Sequence, residues 1–353
     1  MTPTRRPRLP RRALHGVLLL DKPLGWSSND ALQKAKGILR AEKAGHTGTL
    51  DPLATGLLPL CFGAATKFSQ VSLEADKAYR ATLRLGQRTT TGDREGEVID
   101  ERPLGDLSPA RVAAALAAFT GTIDQLPPLH SALKKDGKAL YEYARAGQTV
   151  ERTPRRITVH AIDLVSQQDA ELVIDVRCSK GTYIRTLAED IGEALGCGAH
   201  LSALRRTAAG PLTLDGAVTL EALAALDEAG RQALLQPIDL LLADWPRISL
   251  AADEAGRFLT GLRRRVRGQA DAPAVRVYGP PLPGSPAGAP EVFLGAALIT
   301  AGELIPSRLL SPAELQTAHA DTPADAPADA QPEAEAAAAA AAPEALATAA
   351  AAT

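Results

Sequence analysis

Apolar and polar positions alternate most cleanly over residues 77–86. Tyr79, Ala81, Leu83 and Leu85 share one face, and Arg80, Thr82 and Arg84 share the other, which predicts a half-buried strand. Residues 156–165 and 171–178 read as two more strands; in the second, Leu172, Ile174, Val176 and Cys178 point one way. Residues 16–20 and 57–62 are short unbroken apolar runs, predicted as fully buried strands. Ser27 or Ser28 caps a predicted helix reaching about Arg40. Further helices are expected over residues 64–73, from Ser108-Pro109 to near Gly121, over 139–145, and from about Arg185 through Leu195. Strands and helices are interspersed without a regular βαβ beat. That pattern predicts an α+β fold with a mixed, mostly antiparallel central sheet and flanking helices.

Two segments break the periodicity. Residues 45–56 (Gly-His-Thr-Gly-Thr-Leu-Asp-Pro-Leu-Ala-Thr-Gly) place one carboxylate, Asp51, among glycines, hydroxyls and a proline. Three glycines and a proline mark an irregular, closely packed loop, which holds an acid more rigidly than a mobile surface turn does. Taken alone, Asp51 also fits a simple capping or turn aspartate. Residues 124–152 form a basic, poorly periodic stretch that suits a loop ordering on a ligand, or an ordinary surface excursion.

Composition changes near Pro246. Residues 246–312 carry short apolar runs around a Pro/Gly insertion at 279–290, which predicts a small β-rich domain after a larger one at 14–245. Residues 313–353 are expected to be a disordered Ala/Pro/acidic tail, and residues 1–13 a disordered basic arm. The net charge of −2 hides this asymmetry. All seven acids after residue 308 lie in a stretch without Lys or Arg, so residues 1–308 carry 39 basic against 34 acidic residues. A basic body with a basic arm suits a polyanion such as a nucleic acid, and equally a solubilising surface. Cys61, Cys178 and Cys197 form no C-x-x-C pair, which argues against a zinc ribbon or a disulfide framework and fits a reducing cytoplasm. No apolar run approaches the length of a membrane span, and the start lacks a secretory apolar core.

Four separated segments share small residues or a turn with a polar or aromatic group: residues 20–25, 45–56, 77–80 and 180–185. With Gly-Thr-Tyr-Ile-Arg-Thr-Leu at 181–187, Gly-Cys-Gly-Ala-His-Leu at 196–201 and Leu204-Arg205-Arg206, they resemble the TruB-type pseudouridine synthases, over about residues 14–310. The resemblance implies an isomerase that modifies uridine 55 in the T-arm of tRNA. It implies base flipping, no cofactor or metal, no guide RNA, and a monomer. A further role in tRNA folding stays open beside the catalytic one.

Residue by residue, the resemblance makes Asp51 the catalytic aspartate and His46 the histidine that fills the place of the flipped uridine. Tyr79 stacks on the target base, Tyr183 and Leu204 line the substrate pocket, and Arg185 pairs with Asp51. Lys22 stands in the lysine-proline turn beside the site, and Asp93 is the acid near the pocket. Residues 124–152 become an insertion that clamps the RNA, and residues 246–312 a small RNA-binding module. One departure is His130, where the family usually shows tyrosine. Two other readings fit the residues: a tRNA binder without activity, and an aspartyl-phosphate enzyme. The latter is disfavoured because Asp51-Pro52-Leu53 lacks a second carboxylate two residues on.

Overall fold

The computed structural model describes residues 10–320, apart from positions 132, 149 and 267. The basic arm up to position 9 and the low-complexity tail from position 321 lie outside those residues. The chain runs through β1 (Gly16–Lys22), α1 (Ser28–Leu39), β2 (Ala44–His46), β3 (Ala54–Phe62), α2 (Ser69–Glu74), β4 (Lys77–Leu85), β5 (Gln87–Thr89), β6 (Val98–Glu101), α3 (Pro109–Ala118) and β7 (Gly121–Gln125). The segment after β7 contributes a minimal hairpin, β8 (Lys134–Lys135) and β9 (Lys138–Ala139), and the short α4 (Leu140–Arg145). Then come β10 (Arg155–Gln168), β11 (Glu171–Cys178), α5 (Ile184–Leu195), β12 (Ala199–Ala209), β13 (Leu212–Thr213), α6 (Leu220–Ala225) and α7 (Glu228–Ala233).

The central sheet has the order β1-β3-β12-β4-β11-β10-β7, with β2 on the side of β3 and β13 on β12. Every pairing is antiparallel except that of β12 with β3, where Leu204 faces Ala54 and Arg206 faces Gly56. This is the mixed, mostly antiparallel sheet that the sequence predicts. The parallel contact is short, and it is closest at Arg206. Gly56 adopts φ +97°, and a Cβ there would lie 2.3 Å from the Arg206 carbonyl oxygen. Only glycine lets the two strands approach this closely.

Two apolar layers cover the sheet. α3 and α5 bury Val112, Leu116, Leu187 and Ile191 against Leu83, Leu172 and Ile174. α1 and α6 bury Leu32, Leu39 and Leu223 against Leu18, Leu20, Leu58 and Leu60. A second sheet of β14 (Arg247–Ser249), β15 (Arg264–Arg265), β16 (Ala272–Gly279), β17 (Val292–Thr300) and β18 (Glu303–Leu309) has the order β14-β16-β17-β18-β15. Its apolar face shares a core with the first, where Phe68 meets Phe293 edge-on at 5.3 Å between ring centres.

Several expectations need adjustment. The helix expected over 64–73 is divided into a tight turn over Gly63–Lys67 and α2, because the break lets Phe68 enter the shared core. Ser108 precedes α3 as expected, but its side chain caps nothing; instead its N–H donates to Asp106 Oδ1 at 2.9 Å. The tail does not begin at 313. α8 (Ala252–Leu259) and α9 (Pro312–Ala320) both pack on the second sheet, with Leu315 of α9 buried in the core and Glu314 bonded to Lys67 Nζ at 2.6 Å. Acidic, alanine-rich composition concealed that anchor. At the other end, Arg12 is already part of the fold, donating its N–H to the Arg40 carbonyl at 2.8 Å.

Two lysines sit buried at strand ends. Lys22 Nζ donates to the Pro23 and Trp26 carbonyls at 3.0 and 2.6 Å. Lys77 Nζ donates to the carbonyls of Ser72, Leu73 and Ala75, closing the C-terminus of α2. Burial draws both amines down to about 8 from an ordinary 10.5. The unfolded chain then binds more protons between pH 8 and 10.5, so stability rises with pH as these lysines lose their charge. Buried thiols of Cys61 and Cys178, pushed up to about 12 and 11, oppose this from about pH 9. Denaturant unfolding between pH 7 and 8.5 should therefore show a gain of about 1 kcal/mol. Lys77→Met should remove roughly half of that gain; a flat or falling wild-type profile contradicts the assignment.

Candidate active site

Asp51 stands on the loop between β2 and β3, and the fold pins that loop from three sides. Ser28, buried at the start of α1, accepts the Leu50 N–H at 2.7 Å and donates its hydroxyl to the Leu50 carbonyl at 3.0 Å. Gly25 N–H donates to the Pro52 carbonyl at 2.8 Å. From β12, Arg206 donates to the Leu57 carbonyl at 2.6 Å and to the Gly48 carbonyl at 3.2 Å. Gly48 itself adopts φ +121°, a conformation natural only to glycine. The residues on both sides of the carboxylate are thus held by hydrogen bonds while its own side chain stays 43% exposed.

The partner of that carboxylate is Arg185, in the first turn of α5 and only 6% exposed. Its Nη2 lies 3.1 Å from Asp51 Oδ2 and also donates to the His130 carbonyl at 2.7 Å. Nη1 donates to the Thr91 carbonyl at 3.0 Å, and Nε lies 3.6 Å from Asp93 Oδ2. One planar guanidinium therefore joins the loop of Asp51, the turn after β5 and the segment after β7. Asp93 is buried behind it, with Oδ1 accepting from the Thr91 hydroxyl at 2.6 Å and the Glu95 N–H at 3.1 Å. At His130 the contact with Arg185 is made by the backbone carbonyl, which any side chain supplies.

A cleft of about 270 Å³ opens beside Asp51, and Tyr79, Tyr183, Leu204 and Arg185 all line it. Tyr79 projects from β4, where it pairs with Arg206 on one side and Val176 on the other. Burial raises its phenol above the ordinary tyrosine range, against the pull of the Arg206 guanidinium hydrogen-bonded to it. Tyr183 is clamped by Gln125 at the end of β7: Gln125 accepts the Tyr183 N–H at 2.8 Å and donates to the Tyr183 carbonyl at 3.0 Å. Burial likewise raises the Tyr183 phenol.

The structure thus brings Asp51, Tyr79, Tyr183, Leu204 and Arg185 to one cleft, with Asp93 directly behind. Lys22 and His46 are not on the cleft wall. Lys22 holds the 22–26 turn, and the Asp51 carboxylate works against the burial that lowers its pKa. His46 lies in β2 opposite Leu60, half-buried, with Nδ1 enclosed and unpartnered. Burial, reinforced by Arg206, lowers its pKa, so the ring is neutral at pH 7.

Four residues of this site were not assigned a role by sequence reasoning: Arg206, Ser28, Gln125 and Lys77. For Arg206 a signal existed. Neighbouring residues of a strand face opposite sides. Of Arg205 and Arg206, one had to enter the core face; Arg205 goes outward to a two-bond pair with Asp21. Ser28 and Gln125 act through tertiary contacts, which no local pattern announces.

The family description "TruB family pseudouridylate synthase (N terminal domain)" matches residues 36–184, and "tRNA pseudouridylate synthase B C-terminal domain" matches residues 185–243. The tRNA pseudouridine synthase B of Ralstonia nicotianae is 61% identical over 313 residues, covering 87% of this chain and 98% of the relative. That of Cupriavidus pinatubonensis is 59% identical over 315 residues, covering 87% and 97%. Among solved structures, a Cbf5–Nop10–Gar1 complex superposes with TM-score 0.64 at 25% identity, covering 85% of this chain and 87% of that one. An archaeal box H/ACA sRNP Nop10–Cbf5 complex gives 0.61 at 26%, covering 85% and 86%. The chain belongs to the TruB family of tRNA pseudouridine synthases.

Proposed function

We propose that this enzyme isomerises uridine 55 in the T-arm of tRNA, with Asp51 as the catalytic carboxylate. The observation that carries the reading is the Asp51–Arg185 pair at 3.1 Å on a cleft walled by Tyr79 and Tyr183. The reaction breaks the N1–C1′ glycosidic bond, turns the base, and joins C5 to C1′. One proton leaves C5 and N1 gains one, so the sum is an isomerisation. An ionised carboxylate serves this either as nucleophile or as base. Arg185 supplies the opposing charge and fixes its direction.

The target base must leave its stack, at a cost of a few kcal/mol. Stacking on Tyr79 returns about 1–3 kcal/mol. His46, neutral at pH 7, fills the vacated place. Tyr183 and Leu204 bound the base from the far side, with Tyr183 kept in position by Gln125. The insertion at 124–152 clamps the T-arm without a guide RNA, and Arg185 ties its root to Asp51 through the His130 carbonyl. A cytoplasmic monomer fits this reading, and the three cysteines are free and buried. A tRNA-folding role would use the same binding surface without the carboxylate.

Mass-spectrometric mapping of a reacted unmodified tRNA transcript should place pseudouridine at position 55. Asp51→Asn should lower the rate at least about 10³-fold while tRNA is still bound. Product at another position, or equal product from the Asn variant, overturns the proposal.

Removing the Ser28 hydroxyl tests how far the reaction depends on the pinned loop. Ser28→Ala should cut kcat roughly 10- to 100-fold with little change in KM, because a small misplacement of the carboxylate is costly. It should also lower stability by about 1–3 kcal/mol through the two unpaired Leu50 groups. Unchanged kcat would show that Ser28 does not position Asp51.

A further inference from the structure

The turn between β1 and α1 carries two apolar side chains into solvent: Leu24 is 51% and Trp26 37% exposed. Single exposed apolar residues are common on protein surfaces and usually mean nothing. Three observations set Trp26 apart. Its backbone is fixed from below, since the buried Lys22 ammonium donates to the Trp26 carbonyl at 2.6 Å. The same turn is bonded to the catalytic loop through Gly25 N–H and the Pro52 carbonyl at 2.8 Å, one residue after Asp51. The Trp26 side chain has no hydrogen bond, ion pair or ring contact among the described residues, although an indole carries both an N–H donor and a large π-face.

Standard backbone dimensions place the Trp26 Cα at most about 14 Å from that of Asp51. Thr49, Pro52, Leu24 and Trp26 are exposed along this rim, and Asp51 is half-exposed between them. A tRNA presenting its uridine to Asp51 must lay neighbouring nucleotides across such a rim. Every base has a π-face, and an anchored aromatic stacks on it without further reorganisation.

We infer that Trp26 is a stacking platform for an RNA base beside the target uridine, a nucleotide subsite distinct from the cleft that takes the target. This rests on the proposed action on the tRNA T-arm. The platform adds binding to ground state and transition state alike, so it acts on KM rather than kcat.

The chain has two tryptophans, Trp26 and Trp245, so Trp245→Phe leaves Trp26 as the single indole reporter. Titrating that variant with an unmodified T-arm stem-loop RNA should quench its emission saturably. Trp26→Ala should raise KM for the stem-loop roughly 5- to 150-fold, with kcat within about twofold. Trp26→Phe should restore most of the affinity and Trp26→Leu should not. Emission unchanged at saturating RNA, unchanged KM for Trp26→Ala, or full restoration by leucine overturns the subsite. Absence of pseudouridine from the wild-type reaction would instead overturn the underlying function.

Discussion

The Arg185 guanidinium is the constraint on which this site depends. It touches four groups from three parts of the chain: Asp51, Asp93, the Thr91 carbonyl and the His130 carbonyl. A compact ammonium could not span that set, because its donors radiate from one point. The guanidinium is planar and nearly enclosed, so its position is decided by α5 and the sheet rather than by solvent. That is what lets a carboxylate on an irregular loop be both accessible and directed.

The cations around the site follow a common design. Lys22, Lys77 and Arg206 are buried, and each is solvated mainly by backbone carbonyls at the ends of elements. Acids would have neutralised these charges. Carbonyl dipoles lower the cost of burial without cancelling the net charge. These buried cations add positive potential toward a polyanionic substrate, against the Asp51 and Asp93 carboxylates beside Arg185. The depressed pKa of both lysines, about 8, is the residual cost of that arrangement.

Much of this was legible in the sequence, and the reason is local. Period-two alternation identified β4 and β11, and β11 falls on the predicted residues 171–178. Ser27 caps α1 as the serine pair suggests, accepting the Asp30 N–H at 3.1 Å. The motif residues Asp51, Tyr79, Tyr183, Leu204 and Arg185 converge, although they are spread over more than 150 positions. What stayed hidden acts at long range. Gln125 meets Tyr183 from 58 residues away, and Ser28 meets Leu50 from 22. Composition also misled at α9, where alanines and an acid conceal one buried leucine and one ion pair.

The loop around Asp51 shows why glycine spacing carried so much information. Gly56 is required by the close approach of β3 to Arg206, and Gly48 by its own backbone angle. Both glycines thus serve the same arginine, which in turn donates to the Gly48 and Leu57 carbonyls. Arg206 also meets Tyr79, so the strand that carries Tyr79 and the loop that carries Asp51 share one anchor. A loop without periodicity is usually the least ordered part of a chain. Here the lack of periodicity marks the opposite, because Thr47, Gly48, Leu50 and Pro52 each make a specific tertiary bond. Tyr79 and the loop of Asp51 are consequently held by one side chain that is almost wholly buried.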